Sequence, residues 1–164
     1  MSLGSNTPWR GFSCAGIITS AAGELRKILA DARLSPLYKT APLYITDQAP
    51  FTNAALCGFF SGSPDKLLAL TREIENRYGR DRSKERRWGE RTLDIDILLF
   101  GDRVITETDL TIPHPRLKER AFALRPLLDL LPHAEEPGTG RKYSDILADI
   151  DGQDVELDST GYPD

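Results

Sequence analysis

The stretch from Leu93 to Phe100 opens with Leu-Asp-Ile-Asp-Ile, in which apolar and acidic residues alternate. A period of two predicts a β-strand, because side chains two positions apart project from the same face of a strand. We therefore predict a strand from Leu93 to Phe100 that carries Asp94 and Asp96 side by side. The leucine and isoleucine residues between them face the opposite way, toward a core that other elements must cover.

The two aspartates predict a metal site. Their Cα atoms in a strand lie roughly 6.5–7 Å apart, and each carboxylate disfavours ionisation of the other. A hard divalent cation removes that repulsion, and magnesium is typically held by one or two carboxylates together with substrate phosphates and waters. The alternative is an exposed aspartate pair that is salt-bridged to arginine.

The segment from Gly79 to Arg91 precedes this strand and contains five arginines, one lysine and Trp88. Glycines near both ends predict a mobile surface loop between a helix and a strand. Arginine matches phosphate geometry, and an indole ring stacks on flat heterocycles. Beside a carboxylate pair, such a loop favours a triphosphate substrate. The alternative is a solvated charged loop anchored by one tryptophan.

The rest of the pattern favours a single α+β domain over residues 1–164. Ser63 as N-cap, Pro64 at the first helical position and Gly79 as the stop residue predict a second helix. The order of elements indicates an antiparallel sheet covered on one face. The other predicted elements are a helix at Gly11–Leu29, strands at Leu34–Tyr38, Phe51–Phe60 and Val104–Ile105, helices at Arg116–Leu124 and Pro126–Leu130, a long functional loop at Thr40–Pro50 and a poorly ordered acidic tail over 143–164.

Composition excludes several classes of function. The net charge of −4 argues against general nucleic-acid binding, and no apolar run is long enough for a membrane span. The first residues lack the features of a signal peptide, and Cys14 and Cys57 read as reduced thiols, so a cytoplasmic location is expected. No Walker loop, Ser-His-Asp set or zinc spacing is present. His114 stands between two prolines, where a structural role and a phosphate contact are equally compatible with the pattern.

Taken together, several segments resemble the 6-hydroxymethyl-7,8-dihydropterin pyrophosphokinase family of folate biosynthesis. The resemblance covers about Leu3 to Pro132, and its arginine-to-glycine block is highly specific. The segments are Leu3–Asn6, Tyr38–Leu43, Phe51–Ala55, Arg87–Gly101 and Leu110–Arg116.

The resemblance implies a ferredoxin-like α+β sandwich with helices packed on an antiparallel sheet. It implies transfer of the β,γ-pyrophosphoryl unit of ATP to the hydroxymethyl group of the pterin, with Arg80 and Arg91 as catalytic residues. Two magnesium ions are expected on Asp94 and Asp96. ATP and hydroxymethyl-dihydropterin are the expected partners of a monomer or weak dimer, with no nucleic acid and no membrane.

The same resemblance implies the remaining site residues. The pterin would contact Thr40, Pro42, Leu43, Phe51, Asn53, Trp88 and Phe122. The nucleotide would contact Arg72, Glu75, Arg82, Arg87, Trp88, Arg91, Ile97, Thr111, His114 and Arg120.

The chain departs from the family pattern at a few positions. Phe51 stands where tyrosine is frequent, Arg72 replaces a commoner polar amide, and Asp109 and Pro115 replace an arginine and a tyrosine of some members. The family's first strand normally precedes the Leu-Gly-Ser-Asn segment, so a truncated first strand is expected, and either the sequence begins late or a sheet position is partly empty. Two alternatives stay open, an RNA-binding domain of ferredoxin-like fold and an inactive relative.

Overall fold

An antiparallel sheet of six strands organises the fold, seen in a computed structural model that describes residues 1–83 and 88–159. A separate two-stranded ribbon and four α-helices complete it. In chain order the elements are β1 (Ser2–Ser5), α1 (Cys14–Leu25), β2 (Ala30–Leu34), β3 (Tyr38–Thr40), β4 (Phe51–Phe59), α2 (Pro64–Arg77), β5 (Asp94–Asp96), β6 (Ile105–Thr106), β7 (Thr111–Ile112), a 3₁₀ turn (Leu117–Glu119), α3 (Ala121–Leu130), α4 (Tyr143–Ala148) and β8 (Val155–Leu157).

The strand order of the sheet is β5-β1-β4-β3-β8, and β2 also pairs with β4. Every pairing is antiparallel. Gly4 of β1 lies opposite Asn53 of β4 on one side and opposite Asp94 of β5 on the other. This register places the amide of Asn53 and the carboxylate of Asp94 two strands apart, with a residue that has no side chain between them.

The first strand is not missing. Four residues, Ser2–Ser5, pair along their length with β4, and three of them pair with β5. The expectation of a partly empty sheet position was wrong at these residues, because the Leu-Gly-Ser segment itself forms the strand. Its backbone lies between two partners, and Leu3 is fully buried.

Helices cover both faces of the sheet, whereas the sequence pattern predicted one covered face. Leu3 and Ile95 pack with α1 and part of α2 in the main core. Ala55 and Leu98 point the other way and pack with α3 and α4 in a second core. Ala55 lies between Ala54 and Leu56 of the first core on β4, so its side chain projects from the opposite face of the sheet.

The second helix begins and ends as its sequence predicts. The Ser63 hydroxyl accepts a hydrogen bond from the Lys66 N–H at 3.3 Å, and Pro64 is the first helical residue. Gly79 follows the C-cap with φ of 81°, in the left-handed region that favours glycine. A Cβ atom at Gly79 would lie 2.4 Å from Nε1 of Trp9, so only glycine fits there.

The bounds of several other helices and strands differ from the predicted ones. The strand predicted over Leu93–Phe100 is regular only at Asp94–Asp96, since the Leu98 carbonyl accepts the His114 N–H at 2.9 Å instead of continuing the ladder. The predicted helix at Gly11–Leu29 shortens to α1, and the two predicted late helices merge into a single α3 that contains Pro126. The strand predicted at Val104–Ile105 does not extend the main sheet, because Ile105–Thr106 pairs with β7.

The acidic C-terminal segment forms two elements, α4 and β8, within the described residues, which extend to Ser159, and the expectation of a poorly ordered tail stays a prediction. Tyr143 of α4 is fully buried in the second core, and β8 pairs with β3 at the edge of the sheet. None of the helices within residues 1–83 and 88–159 is long and apolar enough to cross a bilayer.

Candidate active site

A cleft that is open to solvent on one side lies over the face of the sheet that carries both aspartates. Strands β1, β4 and β5 form its floor, and the loop that follows β3 forms one wall. Predicted site residues that line the cleft are Thr40, Leu43, Phe51, Asn53, Trp88, Arg91, Asp94, Asp96, Arg120 and Phe122.

The aspartate pair lies at one end of the cleft and is surrounded by arginine. Asp94 Oδ2 lies 2.7 Å from Arg91 Nη1, and its Oδ1 accepts a hydrogen bond from Arg80 Nη1. Asp96 Oδ2 lies 3.2 Å from Arg120 Nη1. The two carboxylates and three guanidiniums thus form one charged cluster, in which each aspartate is paired with arginine, as one of the two alternatives predicted.

The two carboxylates differ in pKa. Burial alone would raise the pKa of Asp94, but the charges of Arg80 and Arg91 lower it overall. Burial raises the pKa of Asp96 to about 6, and the negative charge of Asp94 adds to the rise. Asp96 is therefore the carboxylate whose ionised form most needs a further cation.

The donor set at this end fits magnesium. Two carboxylates on one strand face supply hard oxygen ligands, and burial raises the pKa of Asp96, so that a further cation would favour its ionised form. In the described part of the chain, no group of three or more His, Cys, Asp or Glu side chains is placed to hold a metal ion. The remaining ligands would then come from a bound phosphate and from water.

Glu75, predicted to touch the nucleotide, lies beneath the cleft and is almost fully buried. Its Oε1 lies 2.5 Å from Arg80 Nη1 and accepts the Ile95 N–H at 2.8 Å, while its Oε2 lies 2.6 Å from Arg82 Nη2. Glu75 therefore joins the end of α2 to two arginines and to the backbone between Asp94 and Asp96. It does not line the cleft.

His114 is neutral and points at Asp96. Its Nδ1 accepts the backbone N–H of Arg116 at 3.1 Å, so the neutral ring carries its proton on Nε2, which lies 3.7 Å from Asp96 Oδ2. Burial, with the charge of Arg120 adding to it, lowers the pKa of His114 to about 4. The structure thus places the histidine within reach of the charged cluster.

The opposite end of the cleft is aromatic and amide-lined. Phe51 and Phe122 line it from different elements, the start of β4 and the start of α3. The Asn53 side chain is buried and donates to the Thr40 hydroxyl at 2.8 Å, which fixes the orientation of the amide. This end can hold a flat ring with a polar edge.

Hydrogen bonds connect the loop that follows β3 to Trp88 and, through Asn6, to Arg91. Gln48 Nε2 donates to the Trp88 carbonyl at 3.0 Å, and Asn6 Nδ2 donates to Gln48 Oε1 at 3.1 Å. Asn6 Oδ1 accepts the Arg91 N–H at 2.8 Å. Asn6 therefore links both loops to the end of β1.

The remaining predicted residues do not line the cleft. Arg82 reaches Glu75, Ile97 packs in a third apolar cluster with Leu67, and Thr111 lies on β7. Arg72 and Pro42 also lie outside the lining, and Arg87 lies outside the described residues. Five lining residues were not predicted. Gly4 lies in one of the motif segments, and Ala41, Tyr44 and Gln48 lie in the long loop that the sequence singled out, without a signal at the individual position. Ser2 lies outside both.

The profile of the 7,8-dihydro-6-hydroxymethylpterin-pyrophosphokinase (HPPK) family matches residues 1–132. The chain belongs to this family. The match includes both ends of the cleft, from β1 to the end of α3.

Three relatives match this chain over different shares of their own length. The chain is 45% identical over 107 residues to a 2-amino-4-hydroxy-6-hydroxymethyldihydropteridine pyrophosphokinase of Bacillus subtilis, which covers 65% of this chain and 63% of that protein. It is 46% identical over 107 residues to a mitochondrial folate synthesis bifunctional protein of Arabidopsis thaliana, covering 65% of this chain and 19% of that protein. It is 34% identical over 156 residues to the folic acid synthesis protein fol1 of Pneumocystis carinii, covering 95% of this chain and 20% of that protein.

Two departures from the HPPK pattern meet in space. Arg72 Nη1 lies 3.9 Å from Asp109 Oδ2, and both side chains are exposed. An exposed ion pair at this distance contributes about 0–1 kcal/mol. In this HPPK chain Arg72 therefore pairs with Asp109 on the surface and does not line the cleft.

Proposed function

We propose that this chain transfers the β,γ-pyrophosphoryl unit of ATP to the hydroxymethyl oxygen of 6-hydroxymethyl-7,8-dihydropterin, which gives AMP and the pterin diphosphate. One observation carries the proposal: a charged end built from Asp94, Asp96 and arginines shares a single cleft with an aromatic end built from Phe51 and Phe122. The first end suits a triphosphate and the second suits a flat heterocycle.

In this reaction the acceptor oxygen attacks the β-phosphorus of ATP, and the bond between the β-phosphorus and the oxygen bridging it to the α-phosphorus breaks. That bridging oxygen leaves with AMP, and the hydroxyl proton of the acceptor passes to solvent. Such a transfer needs positioning and charge neutralisation rather than covalent help from the protein.

The arginines change partners in the proposed reaction. In the structure Arg80 and Arg91 each pair with Asp94. When ATP enters, their guanidiniums bind phosphate oxygens and stabilise the charge that develops on the transferred group. Asp94 and Asp96 would hold magnesium, which, when bound, neutralises charge on the triphosphate and polarises the acceptor oxygen.

The pterin occupies the other end. Phe51 and Phe122 contact its ring faces, and Asn53 reads its polar edge with the amide group that Thr40 orients. Trp88 and Leu43 exclude water from this end. The hydroxymethyl group then points along the cleft toward Asp96. The cytoplasm is the proposed compartment, which fits two cysteines that are both unpaired.

The test is the identity of the nucleotide product. The protein is mixed with ATP, magnesium and the hydroxymethyl-dihydropterin, and the products are separated by chromatography. We expect AMP in equal amount to pterin diphosphate, and Asp94→Ala should reduce AMP formation by at least 100-fold. The proposal fails if ADP forms instead, or if Asp94→Ala forms AMP as fast as the unchanged protein.

A further inference from the structure

Tyr44, Trp88 and Arg116 form a layered contact at the mouth of the cleft. The rings of Tyr44 and Trp88 stack with centroids 4.6 Å apart and planes inclined by 26°. The Arg116 guanidinium carbon lies 5.0 Å from the Trp88 centroid and 5.5 Å from the Tyr44 centroid. These distances are within the range of aromatic stacking and of cation–π attraction. Neither Tyr44 nor Arg116 was predicted as a site residue.

Contacts hold both the backbone and the ring of Trp88. Its φ of 61° lies in the left-handed region, which is uncommon for a residue with a large side chain. The Gln48 side chain donates to the Trp88 carbonyl, and Gln48 belongs to the same loop as Tyr44. Two independent contacts from that loop therefore fix one conformation of Trp88, which the backbone alone would disfavour.

Arg116 connects this contact to the charged end of the cleft. Its backbone N–H donates to Nδ1 of His114, whose Nε2 points at Asp96. Its side chain extends the other way, over both aromatic rings. The residue thus spans the distance between the phosphate end and the aromatic mouth without lining the cleft itself.

We propose that Tyr44 and Arg116 are positioning residues, which hold the Trp88 ring over the pterin end of the cleft and so set the affinity for the heterocyclic substrate. The inference rests on the proposed function, because it takes the pterin as the ligand of that end. Contacts that hold the tryptophan in one conformation reduce the entropy lost when a ligand binds. Neither side chain touches the transferred phosphates, so their effect falls on binding and not on transfer.

The first test separates KM from kcat for the pterin. Tyr44→Ala should raise the pterin KM about three- to tenfold and change kcat less than twofold, because the stack is lost while the charged end is intact. Tyr44→Phe keeps the ring and should restore the KM. The matched control is Arg103→Ala, which removes a cation over the Phe100 ring outside the cleft and should leave both constants unchanged.

A double-mutant cycle tests whether the two residues act through the same ring. Arg116→Gln should raise the pterin KM by a few fold, and Tyr44→Ala combined with Arg116→Gln should raise it by less than the product of the two single effects. A pterin KM that is unchanged or lowered in Tyr44→Ala overturns the proposal. So does a strictly multiplicative double variant, since the two side chains would then act independently.

A readout without turnover keeps the inference separate from the proposed function. The fluorescence of Trp88 is taken as the difference between each protein and its Trp88→Phe counterpart. Iodide should quench this fluorescence more strongly in Tyr44→Ala than in the unchanged protein, but not in Tyr44→Phe. If the unchanged protein forms no AMP, the proposed function fails, and pterin titration followed by fluorescence still tests the positioning role. Equal quenching of Trp88 in the unchanged protein, in Tyr44→Ala and in Tyr44→Phe overturns the proposed role of the Tyr44–Trp88 stack.

Discussion

The Glu75 carboxylate lies 2.5 Å from the Arg80 guanidinium inside the protein, where the two side chains are 1% and 5% exposed. The same carboxylate holds Arg82 and the Ile95 N–H. A buried carboxylate with three donors ties the end of α2 to the strand that carries the aspartate pair. The position of Arg80 over Asp94 thus depends on Glu75.

Glu75→Gln should lower the free energy of unfolding by about 3 kcal/mol, because it breaks the buried ion pair with Arg80, and the remaining pair with Asp94 compensates the arginine charge only in part. Urea unfolding measures this directly. The control is Glu24→Gln, which removes the partner of Arg77 in a more exposed pair and should cost about 0–1 kcal/mol. If the two variants lose similar stability, Glu75 does not hold the arginines in the way that the geometry implies.

Asp96→Asn should stabilise the ligand-free protein at pH 7.5 while it abolishes activity. The folded-state pKa of Asp96, about 6, lies above the ordinary value of 3.8. Protonation of Asp96 therefore stabilises the fold. This contribution is present below about pH 4 and is lost as the pH rises through 6. Asparagine resembles the protonated form. We expect a gain of about 1–2 kcal/mol at pH 7.5, reduced by solvent screening because the side chain is 33% exposed.

The gain from Asp96→Asn should disappear at about pH 3, where the wild-type carboxyl is protonated in both states. Thermal unfolding at the two pH values, with and without magnesium, checks this. Magnesium should raise the melting temperature of the wild type at pH 7.5 and have little effect on the variant. A variant less stable than the wild type at pH 7.5 would mean that the ion pair with Arg120 outweighs the burial of Asp96.

Gly4→Ala should weaken pterin binding without unfolding the protein. A Cβ atom there would lie 3.1 Å from Asn53 Oδ1, and Asn53 cannot easily move because it donates to Thr40. We expect the pterin KM to rise about tenfold, the effect of one misplaced hydrogen bond. Gly23→Ala in α1 is the matched control, since nothing lies within 4 Å of its Cβ; it should leave the KM unchanged. An unchanged KM in Gly4→Ala would remove Asn53 from the pterin site.

Arg91→Ala should slow turnover about 100-fold or more and change the pterin KM less than threefold, because in the proposed reaction the guanidinium acts on phosphate charge that develops during transfer. Its position beside Asp94, lining the cleft, supports this division. Arg141→Ala, which breaks an exposed pair with Asp149, is the control. Equal losses in kcat and in pterin affinity would contradict a catalytic role for Arg91.

Local sequence patterns predicted the parts of the fold that depend on short-range physics. The caps of α2 and the side-by-side placement of Asp94 and Asp96 were confirmed, because capping and strand alternation are set within a few residues. The extent of β5 was not predictable in the same way. Its end depends on the hydrogen bond from the His114 N–H to the Leu98 carbonyl, which joins residues that are distant in sequence.

The second core and the roles of buried charge also lay beyond the sequence pattern. Ala55 and Leu98 gave no sign that α3 and α4 would cover them. Glu75 carries the charge of a surface residue, and only the fold shows that it is buried under Arg80 and Arg82. The contact of Tyr44 with Trp88 joins two loops, and loop conformation is weakly determined by local sequence.

The central claim is that the β- and γ-phosphates of ATP leave together to the pterin, and labelled ATP tests it most directly. The protein is incubated with magnesium, the hydroxymethyl-dihydropterin and ATP labelled with ³²P at either the α or the γ position, and the pterin product is isolated. We predict that γ-label appears in the pterin diphosphate in a one-to-one ratio to pterin, and that α-label stays in AMP. Label from the γ position in inorganic phosphate, with none in the pterin, would contradict the account.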